Sequence, residues 1–211
     1  MHKTLPSPSG YVPATPARTA HEHPGQELLG AHARHEGLLA GHGKGGEDKT
    51  SVLRFSDTEL RGKQYILIEY CCSANSTIGA AAPAYALVVQ VSEDLDAGST
   101  SVRDALLKII QQARDLAIPI AIWSSTPCTG GSAIQNLNIS RFGVTEKLRG
   151  HWTEFHRLCD SFQPLASAIS KAGGLIAIEW PTRCTYWRDG RVVRLLRQQA
   201  PHSATLASCA Y

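Results

Sequence analysis

Four short apolar runs stand out in the chain from residue 64 onwards. They are rich in Ile, Leu, Val and Ala and end at Gly, Pro, Ser or charged residues: Tyr65–Tyr70, Ala86–Val91, Ile118–Trp123 and Leu175–Glu179. Short apolar runs with such boundaries are typical of strands that are buried on both faces of a parallel sheet. The pattern therefore predicts four strands.

Helical patterns follow the second, third and fourth of these runs. After the second run, Ser99–Val102 predicts an N-terminal cap for a helix from Arg103 to Asp115. After the third, apolar residues recur at steps of three and four on one long helix, which is expected to kink before Pro164 and to end at Gly173-Gly174. That stripe consists of Val144, Leu148, Trp152, Phe155, Leu158, Phe162, Leu165 and Ile169. A basic amphipathic helix is predicted around Arg191–Gln199, and a final edge strand over Ala204–Tyr211.

This alternation of strands and helices predicts the fold class. We expect an α/β domain with a mostly parallel, doubly wound sheet and helices on both faces. Its predicted span is residues 61–211. Residues 1–60 contain a Pro- and Ser-rich stretch (Leu5–Pro16) and a glycine-rich break (Gly43–Gly46), which predict a disordered or weakly helical N-terminal region.

Five of the nine histidines lie between the Pro-rich stretch and the glycine-rich break: His21, His23, His32, His35 and His42. A metal site there is an alternative, but the intervening Gly and Pro residues fix no ligand geometry, and we predict no metal.

Composition and charge restrict the class of protein. The 43% hydrophobic content is sufficient for a core, and a net charge of +3 permits nucleic acid as a partner without arguing for it. Six scattered cysteines, no signal-peptide pattern and no long apolar run predict reduced thiols in an intracellular protein, cytoplasmic or nuclear, without a membrane span.

The candidate chemistry lies directly after the predicted strands. Ligands of parallel sheets bind outside the carboxyl ends of the strands, so residues at those positions are the informative ones. Small and hydrogen-bonding residues follow the first strand, from Tyr70 to Gly79, and the acidic Glu93 and Asp94 follow the second. Pro127 and Cys128 follow the third strand, and Glu179 ends the fourth.

Each feature has a functional and a structural interpretation. A thiol at Cys128, beside Gly130-Gly131 on an open loop, is a candidate nucleophile if neighbouring donors stabilise its thiolate; the alternative is a structural thiol in a turn. The acidic cluster is a solvated turn in the simpler interpretation, and Glu179 a carboxylate that caps a loop. Placement of all of them at one edge of one sheet favours function.

The order of these motifs resembles the catalytic core of the DNA (cytosine-5) methyltransferases, within the S-adenosylmethionine-dependent methyltransferases. The resemblance covers roughly residues 64–200 and implies a Rossmann-like methyltransferase fold. It implies that the loop after the first strand binds S-adenosylmethionine through Tyr70, Cys71, Cys72, Ser73, Asn75 and Gly79, together with Pro127. It further implies that Glu93 or Asp94 binds the ribose, that Cys128 attacks C6 of cytosine, and that Glu179 hydrogen-bonds the ring.

The sequence also departs from that family. The glycine-rich first loop is replaced by Cys71–Ser76, Thr129 follows the cysteine where the family has Gln, and Trp180-Pro181 follow Glu179. A catalytically inactive module or polyprotein fragment that binds nucleic acid or a protein partner is therefore the alternative, as is a partner chain that completes the fold or recognises the target.

Two further hypotheses concern particular residues. The stretch Trp180–Trp187, with the arginines around it, is a candidate aromatic and cationic platform for a base, or else an ordinary basic surface. A cysteine hydrolase or phosphatase is the third function class. It requires His151, His156 or His202 to reach Cys128, or an Arg where Ile134 stands.

Overall fold

Four parallel strands form the centre of the domain in a computed structural model, which describes residues 49–199 and 202–204. The strands are β1 (Tyr65–Cys72), β2 (Ala86–Ser92), β3 (Ile120–Ser124) and β4 (Leu175–Ile178), in the spatial order β2-β1-β3-β4. All three pairings are parallel. The predicted α/β class is confirmed, and the predictions for residues 1–48 and 205–211 lie outside the described residues.

Six α-helices connect and flank these strands within the described residues: α1 (Asp57–Arg61), α2 (Thr77–Ala81), α3 (Thr100–Asp115), α4 (Ala133–Phe142), α5 (Glu146–Lys171) and α6 (Gly190–Gln199). Three 3₁₀ helices cover Lys49–Leu53, Thr129–Gly131 and Thr185–Arg188. Nowhere in this part of the chain is a helix both long and apolar enough to cross a bilayer.

The N-terminal cap and the apolar stripe of α3 explain where this helix begins and which of its faces is buried. The Ser99 hydroxyl accepts a hydrogen bond from the Val102 N–H, which satisfies one of the free amides of the first turn. Val102, Leu106, Ile109, Ile110 and Ala113 are buried, as the helical spacing predicts.

Helix α5 runs for 26 residues with Pro164 inside it. It begins at Glu146, where the hydroxyl of Thr145 caps the Leu148 amide, so Val144 precedes the helix and is exposed. The remaining positions of the stripe face the domain, with Phe155, Leu158, Phe162, Leu165 and Ile169 buried. Gly173, at φ 72°, ends the helix.

The two faces of the sheet are covered unequally. Ile66, Ile68 and Tyr70 of β1 point into the main core, which α3, α5 and α6 close. The alternate positions of β1 point to the second face, where the short helix α2 packs through Gly79. Among residues 49–199, the long helices α3 and α5 therefore cover one face, and the single turn of α2 packs on the other.

The core also includes residues that precede β1. Leu53 of the first 3₁₀ helix and Leu60 of α1 are both buried in it, 4% and 0% exposed. A capping box between Ser56 and Glu59 begins α1. The packed part of the domain thus starts before the boundary at residue 61 that the sequence predicts.

Candidate functional site

The loops that follow β1, β3 and β4 meet at one rim of the sheet. The Ser125 N–H donates to the Tyr70 carbonyl, and the Glu179 N–H donates to the Ser124 carbonyl, both at 3.0 Å. The chain crosses over in opposite directions from β1 to β2 and from β2 to β3, so the switch in strand order falls between β1 and β3. In parallel sheets this switch point is where a crevice for ligands opens.

Tyr70 is part of the core rather than of a ligand surface. Its side chain is 0% exposed, and its hydroxyl donates to the Ala97 carbonyl at 2.8 Å. Burial raises the pKa of the phenol. The side chain of Tyr70, which the sequence predicts to bind a cofactor, therefore does not reach the rim, and only the Tyr70 backbone lies there.

Cys71 has an unusual backbone conformation at the switch point. Its φ of 60° lies in the left-handed region, and the β1–β2 register shifts between Tyr70 and Cys72. Burial raises the pKa of the Cys71 thiol to about 12, against a smaller lowering by a hydrogen bond with the Thr126 side chain. Cys71 is thus a protonated, packed thiol between the β1 and β3 loops.

The remainder of the β1 loop is open. Ser73 and Asn75 are exposed, and the Ser73 hydroxyl accepts the Asn75 N–H at 3.3 Å. Beside the loop lies an open hollow of about 560 Å³, lined by Ala74, Asn75, Ser76, Gly79, Val88 and Gln90. Small residues at its edge let the backbone come close to a bound molecule.

Glu93 and Asp94 lie in the exposed turn after β2. Neither carboxylate makes a hydrogen bond or ion pair with another residue of the described chain. Both are therefore free to accept hydrogen bonds from the hydroxyl groups of a ligand at this rim.

Cys128 occupies the N-cap position of the 3₁₀ helix Thr129–Gly131 and is partly exposed, behind the exposed Pro127. Its Sγ has no hydrogen-bond partner in the described residues. The side chain packs against a second apolar cluster formed by Phe155, Cys184, Tyr186 and Val192.

Glu179 directly follows β4 and is exposed. The next residue, Trp180, donates its indole N–H to the Thr126 carbonyl at 2.7 Å. This bond joins the loop that carries Glu179 to the loop that carries Cys128. The predicted nucleophile and the predicted acid thus follow neighbouring strands at the same edge of the sheet.

Tyr186 forms the base on which the Cys128 loop rests. Its ring stacks on Phe155 at 3.6 Å and 7°. A Cβ at Gly130 would lie 2.5 Å from the Tyr186 hydroxyl oxygen, and one at Gly131 would lie 2.6 Å from its ring, so both glycines are needed for this approach. Burial raises the Tyr186 pKa to about 12. From the sequence alone, Tyr186 is only one residue of the candidate base-binding stretch Trp180–Trp187, and its role under the Cys128 loop is not predicted.

The histidines of α5 do not form a Cys–His pair with Cys128. His151 contacts the Gly130 position through its Cβ, but its Nε2 is buried without a hydrogen-bond partner. His156 Nε2 lies 3.0 Å from Asp189 Oδ2 instead. Ile134, where a phosphatase loop requires Arg, is 64% exposed. The described residues thus give the hydrolase and phosphatase hypotheses no support.

Two other features limit what the rim can hold. The cavity behind it, lined by Thr126, Cys159, Phe162, Trp180 and Arg191 among others, measures about 20 Å³, enough for about one water molecule. In residues 49–199 and 202–204, no three His, Cys, Asp or Glu side chains are grouped so that they could hold a metal ion. A nucleoside-sized ligand therefore has room in the open hollow, not behind the rim.

Comparison with known proteins gives no family model, no curated protein and no solved structure that matches this chain.

Proposed function

We propose that the domain is an S-adenosylmethionine-dependent methyltransferase that acts on a cytosine-type base in nucleic acid through Cys128. The observation that carries the proposal is the shared rim. The hydrogen bond from Trp180 to Thr126 holds the Cys128 loop beside the Glu179 loop, and Ser125 bonds to Tyr70 at the end of β1. A thiol, a carboxylate and an open loop thus surround the switch point.

The residues at this rim are compatible with a nucleoside cofactor. The exposed loop from Ser73 to Asn75 offers close backbone approach, and the unpaired Glu93 and Asp94 are suited to the two hydroxyls of a ribose. S-adenosylmethionine, when bound, supplies an electrophilic methyl group on a sulfonium.

The proposed roles of Cys128 and Glu179 follow from pyrimidine chemistry. After losing its proton, the Cys128 sulfur forms a bond to C6 of the ring, and C5 gains the electron density needed to accept a methyl group. Glu179 hydrogen-bonds the ring and holds it in place. Methyl transfer would break the bond between the sulfonium sulfur and the methyl carbon and release S-adenosylhomocysteine. The C5 proton would then pass to solvent water as the sulfur–C6 bond breaks, and the Cys128 thiolate would take up a proton from solvent. The target base must leave the stacked helix to reach this rim.

Calorimetric titration of the full chain with S-adenosylhomocysteine tests cofactor binding. We expect measurable heat, and about tenfold weaker binding in Asp94→Asn, because the ligand hydroxyl then donates to a neutral amide oxygen instead of a charged carboxylate. Asp115→Asn, at the far end of α3, is the matched control and should bind as wild type. Absence of heat and of a thermal shift at about 1 mM ligand would contradict the proposal.

Transfer of a labelled methyl group to a cytosine-containing polynucleotide tests the chemical step. Cys128→Ser should abolish transfer while leaving S-adenosylhomocysteine affinity unchanged. Cys159→Ser, a thiol of α5 that the proposed chemistry does not use, should retain transfer. Equal transfer by the Cys128→Ser variant would remove Cys128 from the reaction.

A second candidate is a module that binds nucleic acid without chemistry. Arg183 and Arg188 are exposed and have no ion-pair partner in the described residues, and they flank the partly exposed Trp187. Stacking and phosphate contacts of this kind predict salt-dependent binding of single strands. Arg183→Ala and Arg188→Ala should each weaken binding of a fluorescent oligonucleotide, whereas Lys171→Ala, at the opposite edge, should not. In such a module, Cys128→Ser leaves every measured property unchanged.

A further inference from the structure

Glu69 is a buried acidic residue that the proposed chemistry does not use. It lies in β1 on the second face of the sheet and is 1% exposed. Carboxylates are rarely buried without a partner, and in the described chain no Lys, Arg or His forms an ion pair with it. Other polar groups must therefore compensate for its burial.

Both oxygens of Glu69 accept short hydrogen bonds. Ser76 Oγ donates to Oε1 at 2.6 Å, and Gln90 Nε2 donates to Oε2 at 2.8 Å. Gln90 is the cross-strand partner of Glu69 in β2, whereas Ser76 belongs to the loop after β1. One carboxyl group thus ties that loop to the neighbouring strand.

Helix α2 packs directly on this group of three side chains. A Cβ at Gly79 would lie 2.8 Å from Gln90 Nε2 and 3.1 Å from Glu69 Oε2, so a side chain at this position would displace the Gln90 amide from Glu69. Ser76, Gly79 and Gln90 also line the open hollow beside the loop. The hydrogen-bonded group of Glu69, Ser76 and Gln90 therefore forms one wall of the space available to a ligand.

We propose that Glu69 is a positioning residue, which holds the Ser73–Ser76 loop through Ser76 and Gln90 in the conformation that binds the nucleoside. The inference rests on the proposed function for its ligand, but the ordering of the loop by Glu69 is a property of the free protein. Glu69 itself touches neither cofactor nor base.

Hydrogen exchange of the full chain tests the ordering of the loop. Glu69→Ala should speed exchange in peptides spanning residues 73–79 by about tenfold and leave those of α3 and β3 unchanged. Glu69→Gln should keep slow exchange, because the new amide oxygen accepts from Ser76 while the Gln90 amide rotates to present its oxygen. Glu69→Met, which fills a similar volume but cannot hold Ser76 and Gln90 in this way, should speed exchange as Glu69→Ala does, and this separates the hydrogen bonds from a general need for side-chain volume.

Ser76→Ala keeps the test decisive if Glu69→Ala does not fold, because it removes one bond and leaves Glu69 in place. It should also speed loop exchange and weaken S-adenosylhomocysteine binding, whereas Ser140→Ala, an exposed serine of α4, should do neither. If wild type binds no ligand, the proposed function fails while the exchange data still decide the role of Glu69. Unchanged loop exchange in Ser76→Ala, or equal exchange in Glu69→Ala and Glu69→Gln, would overturn the inference.

Discussion

Cys71 combines a partly buried side chain with a backbone conformation that suits glycine. A residue with a Cβ pays about 1–2 kcal/mol in the left-handed region, and φ at Cys71 is 60°. The register of β1 shifts at this residue, directly beside the loop proposed to bind the nucleoside. Strain of this kind is frequently located at functional sites, which agrees with the position of Cys71 at the switch point.

The strain at Cys71 predicts an inverted order of stability for two variants. Glycine in a strand is normally about 0.5–1 kcal/mol less favourable than alanine. At position 71 we expect Cys71→Gly to be more stable than Cys71→Ala by up to about 1 kcal/mol, because glycine removes the strain. Urea unfolding measures both. The same pair at Cys72, which has ordinary φ, should show the normal order, and a normal order at position 71 would contradict the prediction.

The surroundings of two residues, Glu69 and Tyr70, could not be predicted from the sequence. The apolar run Tyr65–Tyr70 correctly predicts a strand, but nothing in the run indicates that Glu69 is buried. Its burial depends on Ser76 and Gln90, which approach only after two strands and a loop have folded. Tyr70 was expected at the ligand surface because it begins the loop, yet its hydroxyl finds a partner across the core at Ala97.

At the scale of elements, α3 and α5 end in the same hydrogen-bond pattern with different residues. The Ile118 N–H donates to the Ala113 carbonyl and the Gly174 N–H to the Ile169 carbonyl, the six-to-one bond of a Schellman motif. The left-handed residue is Ala117 in the first, at φ 54°, and Gly173 in the second.

This pair predicts opposite effects of exchanging alanine and glycine. Ala117→Gly should raise the free energy of unfolding by about 1 kcal/mol, and Gly173→Ala should lower it by a similar amount. No atom lies within 4 Å of a Cβ built at Gly173, so the effect there is conformational rather than steric. Thermal unfolding of both variants is the measurement. A loss of stability in Ala117→Gly would contradict the assignment.

The glycines under the Cys128 loop predict a steric effect instead. Gly131→Ala should destabilise the domain by about 1–3 kcal/mol, because its Cβ would overlap the Tyr186 ring. Gly150→Ala, inside α5 with open space around it, is the matched control and should stabilise by about 1 kcal/mol. Urea midpoints compare the two. Equal effects would show that the Cys128 loop moves aside at no cost.

Periodicity explains which helices the sequence predicts. In α5 the apolar residues keep to one stripe over many turns, so its existence and its end at Gly173 follow from the pattern. In α4 the apolar residues Ile134, Leu137, Ile139 and Phe142 are all exposed and follow no single stripe. A helix without a buried face gives no periodic signal, and α4 was not predicted.

For the whole molecule, two partly buried thiols link stability to pH. Burial raises the pKa of both Cys71 and Cys159 from 9.0 to about 12. In the unfolded chain these thiols ionise near their ordinary value, whereas in the folded protein they stay protonated. Their contribution to stability is therefore complete below pH 9.0 and is lost as the pH rises towards about 12.

The corresponding experiment follows the free energy of unfolding from about pH 8 to about pH 11. We expect it to decrease with pH in wild type and to decrease less steeply in Cys159→Ala, which removes one of the two thiols. Ser140→Ala removes no titrating group and should keep the wild-type slope. The same slope in Cys159→Ala as in wild type would contradict the assignment.

The topology of the whole domain was the part most accessible to sequence reasoning. Four apolar runs separated by helical segments permit few arrangements once crossovers are right-handed, and the parallel sheet follows. The sequence does not predict the unequal covering of its faces, because the segment after the first run is interpreted as a loop, and the five-residue helix Thr77–Ala81 is too short to show an apolar stripe.

Because all four strands are parallel, the loops that leave the strands lie at one end of the sheet and the loops that enter them lie at the other. Every connection that enters a strand, such as Gly62–Gln64 before β1 or Pro83–Tyr85 before β2, lies at the edge remote from Cys128 and Glu179. An affinity tag or fluorophore inserted at Gly62 would therefore report on the protein without obstructing the rim. Immobilisation through that edge would present the proposed site to solution in a single orientation.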